Sequence, residues 1–368
     1  MPTLLLLLAA TLPVAATAQA PLFADDDLLE VALAVDFDAL CRPRETEDCD
    51  FTPTTLQYRE RDGQKHSLPV SIKIRGGWRS LSRNCSVPLL WVQFDEQDVA
   101  GTLFEGQSLL PLTTHCGKGL ALDPMLSGIR RADYEQYVLR EYLGHRLYNA
   151  LTDYSLRVRL LRIAYPRPGS NRGVPHYAFF AEHFDAAAAR TGTVRPERGA
   201  FDAERLDPQA AGLLALFQYM IGNTDWSIAR ERNTMLLVDA EGRQLPVPYD
   251  LDMSGLVHAK YAGPAPGLPI DDVRERWFLG YCQPGTDWDA LFARFDDRRA
   301  ELLALADTVP GASRNSLRST RTFLEGFFDM LDAPDERQAR IVDSCQPWPP
   351  TGVDHTSPLE PGRGRGAK

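Results

Sequence analysis

The chain has 368 residues, with 40 Lys and Arg against 50 Asp and Glu, a formal charge of -10 and 44% hydrophobic residues. That length suffices for two or three domains or for one enzyme with a large core. The acidic balance, with no basic run in the folded part, excludes electrostatic capture of nucleic acid.

The first twenty residues, MPTLLLLLAATLPVAATAQA, are uncharged, leucine-rich and end in small residues. This is the pattern of a secretory signal peptide over residues 1–18, with cleavage after Ala18 preferred because Pro21 follows the alternative cut at Ala20. A secreted or periplasmic protein is expected, soluble after export, since no later segment approaches the ~20 apolar residues of a membrane span. Export places the six cysteines where disulfides persist. The most local pairing is Cys41 with Cys49, Cys85 with Cys116, and Cys282 with Cys345. None has C-x-x-C spacing and no histidines are spaced H-x-x-x-H, so zinc is not expected.

Asp25-Asp26-Asp27 begin an acidic cluster, and residues up to 66 alternate short apolar groups with polar loops. Val70–Arg75 alternates with period two, which predicts a strand with Lys73 and Arg75 on one face and Val70, Ile72 and Ile74 on the other, ended by Gly76-Gly77. Residues 88–94 and 107–113 read as further strands of an antiparallel sheet. A helix over about 133–151 carries Tyr134, Val138, Tyr142 and His145 on one stripe and turns Glu141 toward the sheet, where a carboxylate needs a partner. Residues 156–165 and 176–182 are strand-like and helix formers begin at Phe184. A boundary near 183 therefore divides a β-rich part, 31–182, from a mainly helical part, 183–345. Glu182-His183, at that boundary, either contacts the base of a bound nucleotide or caps the next helix. Residues 208–221 predict a densely apolar helix stopped by Gly222-Asn223. Residues 271–344 read as mostly helical, and 346–368, rich in Pro and Gly, as a disordered tail.

The densest chemistry lies in Gly222–Ser227, Asn233–Leu237 and Pro248–Asp252. Residues 235–238 and 245–249 are short strand-like runs around a turn near Glu241-Gly242, which predicts a hairpin. In that register Asn233 lies across from Asp250, and Asp225 approaches from the end of the preceding helix. Phosphoryl transfer needs a carboxylate to orient or deprotonate the acceptor hydroxyl, and an amide oxygen and a carboxylate to hold Mg²⁺ against the phosphates. Asp225, Asn233 and Asp250 suit those roles in that order. The plainer alternative is that Asp225 caps a turn, Asn233 starts a strand, and Asp250 and Asp252 decorate a loop. There is no G-x-S-x-G elbow and no P-loop. His115 and Cys116 point to opposite faces of a strand, so a disulfide cysteine is expected there rather than a nucleophile with its base. Trp226 either walls a cleft or fills core.

The runs IGNTDW, NTMLL and PYDLDMSG are similar to the catalytic-loop and metal-binding segments of the atypical kinases related to spore-coat protein H (CotH), and more distantly to HipA-like kinases. IKIRGGWRS resembles the glycine-rich loop of the CotH-like family, and Tyr137–Arg159 its helix-then-strand segment. The resemblance covers roughly residues 70–260 and is most specific at 223–252. It implies a two-lobed, protein-kinase-like α+β fold with a β-rich N-terminal lobe and a mainly helical C-terminal lobe. It also implies transfer of phosphate from ATP, with Mg or Mn, to a protein hydroxyl, with Asp225 catalytic, Asn233 and Asp250 on the metal, and Asp252 as a second metal candidate. Where that family carries a lysine on the strand after the glycine loop, this chain reads PLLWVQF. Lys73 is then the candidate to reach phosphates and Glu141, with Arg75 sharing its face. The rival expectation is an inactive pseudokinase serving as an envelope or surface protein-binding module, and a third keeps the site but transfers AMP.

Overall fold

The computed structural model describes residues 21–43, 49–117, 131–170 and 172–350. The expected leader and the tail beyond residue 350 lie outside the described residues. Seven strands, β1 (Leu29–Leu33), β2 (Thr52–Arg59), β3 (Lys65–Ile74), β4 (Leu90–Gln93), β5 (Leu109–Thr113), β6 (Val158–Ala164) and β7 (Pro175–Ala181), follow the alternating stretches of the first half. The alternation in β3 buries Leu68, Val70, Ile72 and Ile74 while Ser71 and Lys73 stay on the outer face. Leu56, Tyr58, Leu90, Val92, Leu110, Leu112 and Phe180 complete the apolar filling, with Phe104 packed against Tyr58, Phe94 and Phe180.

These strands close on themselves in the order β1-β2-β3-β4-β5-β7-β6, every pairing antiparallel except β1 with β6. The closed mixed barrel overturns the expected two-lobed kinase-like fold, in which the β-rich part was an antiparallel sheet forming one lobe. The physical reason is β1. It is five residues long, lies in the stretch read as loops, and pairs both with β2 and with β6 more than a hundred residues away. A long-range parallel pairing leaves no local mark in a sequence, and closure removes the exposed edges an open sheet would keep.

The described residues include eight α-helices: α1 (Glu96–Val99), α2 (Arg131–Leu151), α3 (Phe184–Thr191), α4 (Pro208–Met220), α5 (Trp288–Asp297), α6 (Arg299–Asp307), α7 (Arg314–Asp332) and α8 (Pro334–Arg337). Asp207 caps α4 by accepting from Ala210 N, with Pro208 at the first helical position, where a missing N–H costs nothing. Along α7, Phe323, Leu324, Phe327, Phe328 and Leu331 make an apolar stripe at helical spacing. It packs with Phe217 of α4 and Phe295 of α5 into a second core. That core also takes Leu160 and Phe179 from the outside of the barrel, whereas their neighbours Leu161 and Phe180 point inward. Each of β6 and β7 thus feeds both cores, and each fully buried Leu or Phe adds roughly 1.5–3 kcal/mol of burial free energy.

Two further strands, β8 (Thr234–Val238) and β9 (Gln244–Pro248), form the expected hairpin with a shifted register. Thr234 opposes Pro248, and Tyr249 N donates to Asn233 O at 3.0 Å, so Asn233 faces Tyr249 and not Asp250. The cause is the turn. Asp239–Arg243 forms a loop with an odd number of residues, in which the Asp239 carboxylate accepts from the backbone N–H groups of Glu241 and Arg243 and Gly242 takes a positive φ of 81°. An odd loop moves the pairing by one residue relative to the turn at Glu241-Gly242.

All three expected disulfides form, Cys41–Cys49, Cys85–Cys116 and Cys282–Cys345, with Cα separations of 5.5, 4.7 and 5.1 Å. They are compatible with a secreted or periplasmic protein. Among the described residues no helix is long and apolar enough to cross a membrane. The first residues of the expected tail are pinned: Cys282 N donates to Gln346 O and Trp348 packs on Tyr281.

Candidate functional site

Helix α4 ends at Met220 with Ile221 as its cap, and Gly222, with φ 63°, turns the chain. Asn223 shapes the next turn. Its Oδ1 accepts from Asp225 N (2.9 Å), its Nδ2 donates to Gln218 Oε1 (2.9 Å), and its carbonyl accepts from Trp226 Nε1 (3.1 Å). Trp226 is therefore a buried core residue with its N–H satisfied. Backbone bonds between Ser227 and Arg232 (3.0 and 2.9 Å) fold the chain back, so that Arg232 Nε donates to Asp225 Oδ1 at 2.6 Å. Asn233 Nδ2 donates to both Asp225 O (2.8 Å) and Asp225 Oδ2 (3.0 Å).

The PYDLDMSG run docks against this turn through paired glycine-containing backbone: Gly255 N donates to Gly222 O (3.0 Å) and Leu256 N to Ile221 O (2.9 Å). A Cβ at Gly255 would stand 2.3 Å from the Val273 carbonyl oxygen, and one at Gly222 would stand 2.7 Å from the same atom. Both runs meet at this point because neither carries a side chain there. Asn233 (φ 47°) and Asp250 (φ 54°) occupy the left-handed region just outside the two ends of the hairpin. Such conformations cost about 1–3 kcal/mol each and concentrate at functional sites.

Asp250 and Asp252 meet a residue that sequence reasoning did not single out. Arg79 sits in a short 3₁₀ turn, Trp78–Ser80, directly after Gly76-Gly77. Its Nη2 donates to Asp250 Oδ1 at 2.7 Å and lies 3.4 Å from Asp252 Oδ2, while Nη1 is 3.6 Å from Glu141 Oε2. Tyr261 OH donates to Asp252 Oδ2 at 3.1 Å, and the Trp78 ring packs on the Tyr261 ring. Glu141 thus has the partner expected of it, but that partner is an arginine. The only sign of Arg79 in the sequence is its place in the WRS that follows the glycine pair.

The electrostatics follow from burial. Burial pushes the Glu141 carboxyl up to about 8, against the attraction of Arg79 and with the charges of Asp252 and Asp250 adding to the rise. Asp252 is pushed up to about 6, by burial first, with Arg79 opposing and Asp250 and Asp225 adding. Asp225 is also raised by burial, against Arg232, and feels the charge of Asp250. Burial alone would lower Arg79, but Asp252, Glu141 and Asp250 together hold it well above the usual guanidinium range. Arg75 is lowered to about 10 by burial, with Asp250 opposing.

A cavity of about 160 Å³ adjoins these carboxylates, between the outer wall of the barrel, α2 and the end of β9. Trp91, Phe179, Phe184 and Tyr249 give it aromatic walls, and Arg75, Glu141, His145, His183 and Asp250 give it polar ones. Its volume is on the scale of a single ring system, a cavity of about 150 Å³ being enough for benzene. Arg75 lies against the Trp91 ring and donates to Thr113 Oγ1 (3.2 Å), while its Nε is buried with no hydrogen-bond partner among the described residues. His145 is lowered to about 4 by burial and is neutral at physiological pH.

Two of the sequence candidates lie elsewhere. Lys73 sits on the outer face of β3 with its Nζ over the Phe51 ring, and it does not line the cavity. Glu182 is held by Arg190 through two bonds of 2.9 Å and accepts from Arg157 N, so it is a buried structural anchor. The cap of α3 is His183, whose ring accepts from Asp185 N.

The donor set suits a hard cation in part. Asp250 and Asp252 supply carboxylates and Asn233, with its Nδ2 spent on Asp225, retains Oδ1 as an acceptor. Mg²⁺ and Mn²⁺ prefer such oxygen ligands and take the remainder from water and phosphate. Among the described residues no group of three or more His, Cys, Asp or Glu is placed to hold a metal ion. No family model matches the chain, and the search of curated proteins gives no match, so the resemblance to the spore-coat protein H kinases rests on the residues of this chain alone.

Proposed function

We propose that the chain is an exported, cation-dependent phosphotransferase that moves phosphate from a nucleoside triphosphate to a protein hydroxyl. The observation that carries this reading is the placement of Asp250, paired with Asp252 on Arg79, at the rim of a ring-sized aromatic cavity, with its charge felt by Asp225, to which Asn233 is bonded. Asp225, raised by burial and oriented by Arg232 and Asn233, takes the proton of the acceptor hydroxyl. Arg75, whose buried Nε has no hydrogen-bond partner among the described residues, supplies positive charge for phosphate oxygens, the role expected of Lys73. The nucleotide base takes the cavity, and the phosphates extend past its Asp250 rim. Asp250, Asp252 and Asn233 Oδ1 would hold the Mg²⁺, which when bound would neutralise phosphate charge. The leader expected over residues 1–18 and the three disulfides favour action outside the cytoplasm, where the donor must be supplied.

A second reading is favoured by one specific observation: each acid of the site is already paired, Asp225 with Arg232, and Asp250 and Asp252 with Arg79. On that reading the protein is an inactive surface or envelope module that binds a protein partner. Calorimetric titration of the oxidised protein with ATP, with and without Mg²⁺ or Mn²⁺, separates the two. Metal-dependent binding that Asp250→Ala abolishes supports transfer. No binding at millimolar ATP, with or without metal, supports the binding module.

A further inference from the structure

Arg79 occupies an unusual position for a buried cation. Its guanidinium forks between Asp250 and Asp252, the two carboxylates assigned to the cation, and its other nitrogen faces Glu141. The Arg79 side chain is only 10% exposed and that of Asp252 11%, whereas Asp250 is 43% exposed, so water screens the Asp250 pair more than the Asp252 pair. The turn that carries it is tied down: Ser80 Oγ donates to Gly77 O (2.7 Å), Asn84 Nδ2 donates to Trp78 O (2.8 Å), and Arg42 Nη1 donates to Ser80 O (2.9 Å). Cys85, five residues after the end of that turn's core, is bonded to Cys116 beyond β5. Arg79 is thus held in place by backbone anchoring and not merely by attraction to the acids.

We propose that Arg79 is a specificity-determining residue that admits a divalent cation to Asp250 and Asp252 only together with polyphosphate. This inference rests on the reading that those two carboxylates take the cation. A bare divalent cation must share both carboxylates with a fixed positive charge that already lies 2.7 Å from Asp250 Oδ1 and 3.4 Å from Asp252 Oδ2, and the two like charges repel. A cation bound to a nucleoside triphosphate brings a net negative charge. The same guanidinium, together with Arg75, then attracts the complex it would otherwise repel. Arg79 does so without leaving its anchored turn, because its charge acts on whichever species enters.

The test is a Mn²⁺ titration followed by electron paramagnetic resonance on the oxidised, full-length mature protein, first with Mn²⁺ alone and then with Mn²⁺ and a non-hydrolysable ATP analogue. Wild type is expected to bind bare Mn²⁺ at least tenfold more weakly than Arg79→Met. Binding of Mn²⁺ with the analogue should move the other way, weakening at least tenfold in Arg79→Met. Arg79→Lys keeps the charge and should exclude bare Mn²⁺ as wild type does, which serves if the methionine variant does not fold. The wild-type measurement stands alone as well: tight bare-Mn²⁺ binding that Asp250→Ala abolishes overturns the proposal. So does equal bare-Mn²⁺ affinity in wild type and Arg79→Met. Loss of the nucleotide effect with a preserved effect of Arg79→Met on bare Mn²⁺ would sink the phosphotransfer reading and leave Arg79 as a gate on the cation.

Discussion

Glu141 shows how one buried residue ties the site to pH. Its carboxyl is pushed up to about 8 by burial, so between the usual carboxylate value and about 8 the folded protein keeps a proton that the unfolded chain has released. The stabilisation from this group is complete below about 4.3 and is lost as pH rises through about 8. Glu141→Gln has no such proton to lose, so its melting temperature should rise relative to wild type between pH 5 and pH 8.5. A difference that stays constant across that range in thermal melts would contradict the assignment. At this scale the carboxylates and Asn233 were legible in the sequence because their residue types and spacing suit cation chemistry. Arg79 was not, because a single arginine after a glycine pair has no pattern that distinguishes it from a solvated one.

The element that assembles the site is a pair of turns packed through glycine. Gly255 and Gly222 lie against the Val273 carbonyl, with the Phe323 ring 3.0 Å from the Cβ position of either. Gly255→Ala forces backbone apart and should cost about 1–3 kcal/mol, the range for overpacking a tight site. Denaturant unfolding would measure it, and a midpoint within error of wild type would show that the two runs do not depend on this contact. The hairpin between them was legible in kind, as two apolar runs around a glycine-containing turn. Its register was not, because the parity of the loop depends on the Asp239 carboxylate capping Glu241 N and Arg243 N. Lys73 and Arg75 share a strand face, but only strand pairing shows that Arg75 reaches the cavity while Lys73 ends over Phe51.

At the scale of the molecule, the Cys85–Cys116 disulfide links the segment carrying Arg79 to the chain leaving β5. Its loss in a double Cys→Ser variant should lower stability by roughly 2–5 kcal/mol, as removal of a native disulfide commonly does. Metal-dependent nucleotide binding should weaken further than in a matched Cys282/Cys345 double variant, whose bridge ties the chain before α5 to the segment after α8. Equal effects of the two variants in parallel melts and titrations would contradict a link between this disulfide and the site. The sequence alone determined what depends on neighbours along the chain: the alternation of β3, the stripe of α2, the stop at Gly222, the local disulfide pairs and the oxygen-rich runs at Asp225, Asn233 and Asp250. Tertiary structure alone decided the closure of the barrel, the burial of Glu182 against Arg190, and the meeting of Arg79 with Asp250, Asp252 and Glu141. Local patterns reflect backbone geometry over a few residues, whereas barrel closure and ion pairing join segments many tens of residues apart, and their energies arise only when burial excludes the water between them.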